Sequence, residues 1–96
     1  MNTIPDEEVT RLYSLQNKKY ALKKKKWAIE TWEGNIKLIE AKKAKYKSWT
    51  NRLTVRDTQL KILEHKLDYC KKCLEKARKV CSQLEDEIEE LEYDSD

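Results

Sequence analysis

Cys70, Cys73 and Cys81 are the residues whose type and spacing most readily suggest chemistry: a Cys-x-x-Cys pair, a third thiol beyond it, and His65 just upstream. Thiolates and imidazole are ligands of tetrahedral zinc, and paired thiols also make redox couples or disulfides. The spacing works against zinc. His65 and Cys70 diverge by about 140° round a helix, and a zinc knuckle needs a tight turn, whereas these thiols lie inside a long helical pattern. Cys70 and Cys81 are therefore expected to act as small buried hydrophobes, as free cysteines do in a reducing compartment, and no metal or cofactor is expected. Catalysis has no better footing. The single His falls at an outward position, no Gly-rich phosphate loop is present, and no carboxylate pair has an evident cleft to shift its pKa. The reading is a non-enzyme.

A second chemistry is electrostatic. Lys23, Lys24, Lys25 and Lys26 run into Trp27, and Lys42, Lys43, Lys45 and Lys47 surround Tyr46 and Trp49. Bases interleaved with aromatics suit single-stranded nucleic acid, because ammonium groups neutralise phosphate while rings stack on bases. Consecutive lysines, however, point all round a helix, and no helix-turn-helix pattern with its Gly turn is recognisable. The net charge of +3 hides an asymmetry: residues 1–82 carry all 21 Lys and Arg against 10 acids, and residues 83–96 carry 8 acids and no base. Opposite signs at the two ends suit pairing of one surface with another. They also admit a basic nucleic-acid-associated protein, or a small phage- or virus-type inhibitor that binds a host protein through its acidic end.

The elements that must position these residues are helices. Charged residues make up 41% of the 96 and hydrophobics 39%, with one Gly, one Pro and no Phe, a composition that favours long helices over strands. From Leu60 onward the apolar residues fall alternately three and four apart: Leu60, Leu63, Leu67, Cys70, Leu74, Ala77, Cys81, Leu84, Ile88 and Leu91. That spacing keeps one narrow stripe of a helix facing a partner helix, which is a coiled-coil seam. With Leu60 as an a position, the e positions are Glu64, Lys71, Arg78, Glu85 and Glu92, and the g positions include Lys66 and Glu87. A parallel in-register homodimer would set Lys66 against Lys71 and Glu87 against Glu92. The seam is better suited to an antiparallel or heterotypic partner.

The first half of the chain has two apolar faces. Val9, Tyr13, Tyr20, Trp27 and Leu38 share one side of a helix, and Leu15, Leu22, Ile29, Trp32, Ile36 and Ile39 lie nearly opposite. Two faces need two covers, so the first set is expected to meet a partner, unless Lys stems cover its rings. Thr3, Pro5 and the acids Asp6, Glu7 and Glu8 mark a helix start at about residue 4. Gly34 allows a bend. Over three residues, Trp32-Glu33-Gly34 resembles the turn of the small secreted helical hairpins that carry Trp-x-Gly between two helices; the resemblance implies a reversal at Gly34 and carries no function here.

A later reversal is favoured by composition. Thr50, Asn51, Thr54, Val55 and Thr58 are poor helix formers, Asn51, Thr54 and Asp57 are able to cap, and Arg56 falls where the seam needs an apolar residue. Reversal there places opposite one another residues whose numbers sum to about 106, bringing Lys18, Lys19 and Lys23 to Glu85, Asp86 and Glu87. The rival is one continuous rod of about 130 Å.

The expectation is thus an all-α single domain over 1–96: a long antiparallel helical hairpin or coiled coil, forming part of an oligomeric or heteromeric helical bundle. Its parts are a helix over about 4–49 with a possible bend at Gly34, a turn over about 50–57, a coiled-coil helix over about 58–92 and an acidic tail over 93–96. Its function is expected to be protein–protein interaction or assembly within a larger complex, through the seam and the Val9, Tyr13, Tyr20, Trp27, Leu38 face, with another protein or copies of itself as partner. No apolar run is long enough to span a bilayer and no secretory signal is visible, so an intracellular location, cytoplasmic or nuclear, is expected.

Overall fold

The computed structural model describes residues 5–93, which form two helices, α1 (Asp6–Lys47) and α2 (Leu53–Tyr93), joined by a short loop. They pack against each other as an extended antiparallel hairpin of 80 × 17 × 15 Å. The expected Thr3 cap, the first residue of the expected helix at 4 and most of the acidic tail, 94–96, lie outside the described residues.

α1 starts at Pro5, whose carbonyl accepts the Val9 N–H at 3.1 Å, and Asp6, Glu7 and Glu8 occupy the first turn, where the helix dipole favours negative charge. The helix then runs through Gly34 without interruption. No reversal occurs there, because a single glycine costs a helix only about 1 kcal/mol and the flanking turns are held by packing on α2. α1 ends at Ser48, whose N–H reaches the carbonyls of Ala44 and Lys45 at 3.3 Å and whose Oγ donates to the Lys45 carbonyl at 2.6 Å.

The reversal is shorter and earlier than the weak helix formers imply. α2 begins at Leu53 rather than near residue 58, so Thr54, Val55 and Thr58 are helical. Each such residue costs a helix only a few tenths of a kcal/mol, and Thr58 satisfies its hydroxyl on the Thr54 carbonyl at 2.9 Å. Arg56, polar at a seam position, turns out to serve the loop: its Nη1 donates to the Trp49 carbonyl at 3.2 Å, tying the first turn of α2 to the end of α1. Beside it the Tyr46 and Trp49 rings meet edge to face at 4.8 Å. Sharp reversal also requires Arg52 to adopt φ 54°, a left-handed conformation disfavoured for a residue with a Cβ.

The core is the α2 seam. Leu63, Leu67, Cys70, Leu74, Ala77, Cys81 and Ile88 are buried, while Leu60, Leu84 and Leu91 are half-buried. On α1 the covering face is the one carrying Leu15, Leu22, Ile29, Trp32, Ile36 and Ile39, all half-buried, and no α1 residue is fully buried. The small Cys70, Ala77 and Cys81 alternate with larger Leu and Ile along this buried stripe, and the α1 residues that cover it keep their outer edges in solvent. With only two helices, the core is one layer thick. The accessible surface is 7996 Å², against about 5,800 Å² for a compact chain of this mass.

Candidate interaction surface

Four surfaces run along the hairpin, and the pairing register decides what each displays. The inner seam is fully used within the chain. All three cysteines are free thiols, Cys70 and Cys81 buried in the seam and Cys73 half-buried at its edge. Among the described residues no group of three His, Cys, Asp or Glu side chains is placed to hold a metal ion. Tyr69 lies one turn from Cys73, and its hydroxyl is held above the ordinary phenol range, first by hydrogen bonding with the Cys73 thiol and then by the negative charge that thiol and Cys70 would carry.

One flank is closed by charge. Lys19 meets Glu92 at 3.1 Å, Lys26 meets Glu85 at 3.9 Å and Glu33 meets Arg78 at 3.4 Å. Successive rungs are one heptad apart on both helices, and the sign reverses at the third, so only one antiparallel alignment satisfies them all. Their side chains are 44–61% exposed, so each rung is worth a few tenths of a kcal/mol and specifies register more than it stabilises. Lys18 and Glu87, at 2.6 Å, and Lys43 and Glu64, at 3.7 Å, bridge the helices elsewhere. Of the contacts expected from the charge pattern, Lys18 finds Glu87, but Lys19 turns to Glu92 and Glu85 takes Lys26. The side chains of Lys23 and Asp86 are not among these ion pairs.

The other flank is open. Trp32 and Tyr69 meet edge to face across it at 6.0 Å. Beside them lies a groove of about 480 Å³ lined by Asn35, Leu38, Ile39, Lys42, His65, Lys66, Tyr69 and Cys70.

The outer face of α1 points away from α2. Tyr13 is 65% exposed, Tyr20 60% and Trp27 70%, with Val9 near the end at 36%; Leu38, 64% exposed, stands on the shoulder where this face meets the groove. The Lys24 Nζ sits 4.6 Å from the Tyr20 centroid. Lys23, Lys24, Lys25 and Lys26 are all exposed and spread round the helix, with Lys26 turned to Glu85 and Lys24 to Tyr20. Nearer the loop, Lys42, Lys45 and Lys47 are exposed and Lys43 is drawn to Glu64.

The ladder and the groove escaped the sequence reading. Glu85, Glu92 and Arg78 were legible as e positions of the seam, but their counterparts Lys19, Lys26 and Glu33 follow the same seven-residue spacing on α1, and that repeat was the missing signal. The groove had none, since Leu38 and Tyr69 adjoin only through folding. No protein-family model, curated protein or solved structure matches the chain. Among the described residues no helix is long and apolar enough to cross a membrane.

Proposed function

We propose that this chain is a non-enzymatic helical interaction or assembly protein that docks through the outer face of α1. The observation that carries the reading is the division of labour on α1: one apolar face is covered by α2, and the opposite one keeps Tyr13, Tyr20, Trp27 and Leu38 in water. Scattered exposed apolar residues are ordinary. A stripe of large ones along a single helix face, in a hairpin whose seam is already satisfied, is the signature of helix-in-groove or helix-on-helix recognition. Aromatic residues are also those that anchor interfaces most strongly.

The test is a photo-crosslinking amino acid placed at Trp27 in the full chain expressed in cells, with the same group at exposed Lys61 on α2 as control. A discrete adduct from position 27 that is lacking from position 61 supports the reading. Equal, diffuse labelling from both positions refutes it.

A basic nucleic-acid-associated role draws on the loop end, where exposed Lys42, Lys45 and Lys47 neighbour the Tyr46–Trp49 ring pair. A phosphate-driven mode requires affinity for single-stranded nucleic acid to fall steeply with added salt. Binding that ignores salt disposes of it.

A further inference from the structure

We propose that the partner of the α1 outer face is a second copy of this chain, bound with the two α1 helices antiparallel across a twofold axis between residues 23 and 24. This inference rests on the docking role of that face and names its occupant. Val9, Tyr13, Tyr20, Trp27, Gly34 and Leu38 stand four, seven, seven, seven and four residues apart, a series that reads the same in both directions. A twofold interface must be self-complementary, because each residue i that meets j' is matched by j meeting i'. Antiparallel alignment about the midpoint sets Val9 against Leu38 of the other copy, Tyr20 against Trp27, and Tyr13 against Gly34.

Gly34 is the one member of that series without a side chain, and the hairpin itself gives no reason for it. It is exposed, its φ is not positive, and a Cβ added there would meet nothing within 4 Å. Neither backbone conformation nor packing on α2 calls for a glycine, although glycine is among the poorest residues for a helix interior. In the paired arrangement it receives the Tyr13 ring of the other copy, at the position where a side chain would hold the helices apart. The pairing thus accounts for a residue the hairpin leaves unexplained.

Area and charge set the strength. Complete burial of the exposed portions of Val9, Tyr13, Tyr20, Trp27 and Leu38 would remove roughly 600 Å² per copy, or about 1,200 Å² for the pair, which just reaches the lower bound of a specific interface. Lys23 and Lys24 of both copies crowd the axis. Like charges at the centre make this a weak dimer that added salt strengthens by screening. A partner held by attraction to these lysines behaves in the opposite way.

The experiment is sedimentation equilibrium of the full chain in reductant, over a range of protein concentrations at low and at 0.5 M salt. The wild type is expected to form a reversible dimer that tightens with salt. Trp27→Lys is expected to weaken it at least tenfold, and so is Gly34→Leu, with helicity and melting temperature unchanged or raised because the site is open in the single hairpin. Val55→Lys, which alters an exposed apolar residue away from this face, is expected to leave dimerisation unchanged. A wild type that stays monomeric at several hundred micromolar in high salt overturns the proposal, as does a dimer that weakens with salt or one indifferent to Gly34→Leu. If the self-pairing fails while the position-27 crosslink still captures a discrete adduct of another mass, docking stands with a different occupant; if both fail, the face is not a docking surface.

Discussion

Truncating Leu74 separates the seam from everything else that holds the hairpin together. Leu74 is 7% exposed beneath α1, and burying a leucine side chain contributes about 1.5–3 kcal/mol. Leucine-to-alanine changes in thick cores cost about 2–5 kcal/mol because a cavity remains. Here the lower end applies, since no α1 residue is fully buried and overhanging side chains of α1 are free to collapse into the gap. Leu74→Ala should therefore cost about 2 kcal/mol, lowering the melting temperature by roughly 8–16 °C for a chain of this size. Leu38→Ala removes the same atoms from a residue 64% exposed and should cost less than about 0.5 kcal/mol. Both are read by denaturant unfolding followed by circular dichroism, in reductant and at dilution low enough to suppress association. Equal losses for the two variants, or a loss below 0.5 kcal/mol for Leu74→Ala, would mean that α1 does not cover the α2 seam.

Two further substitutions address register and reversal. In the ladder, Glu33→Arg or Arg78→Glu alone should cost about 0.5 kcal/mol, and the double exchange should restore most of it, with a coupling of about 0.3–1 kcal/mol that fades in 1 M salt; a coupling indistinguishable from zero at low salt would remove that rung from the register. At the loop, Arg52→Gly relieves the left-handed backbone at φ 54° and should raise the thermal midpoint by an amount equivalent to a few tenths to about 1 kcal/mol, whereas Arg52→Val should lower it by at least as much. A glycine variant that melts earlier than wild type would show the strain argument to be wrong.

The residues legible in advance were those whose signal is local. Leu63, Leu67, Leu74 and Ile88 announced themselves by a spacing that any helix translates into a stripe, and the two faces of α1 followed from the same arithmetic. The alignment was also within reach: Lys18–Glu87 and Lys43–Glu64 sum to 105 and 107, beside an expected 106. Arg56 was legible as an exception and misread as a reason for the helix to start late, because its hydrogen bond to the Trp49 carbonyl depends on where the chain has already turned.

By itself, then, the sequence determined that the chain is helical and that one stripe of its second helix must be covered; it favoured a reversal over about 50–57 and left a continuous rod as the rival. Periodicity and helix propensity are properties of neighbouring residues and survive any arrangement of the whole. Tertiary structure decided which α1 face does the covering, which flank the Lys19–Glu92, Lys26–Glu85 and Glu33–Arg78 pairs close, and that Gly34 sits in open space on the face left over. Those outcomes depend on residues some 45 to 73 positions apart meeting in register, and a contact of that kind exists only once both helices are formed and docked.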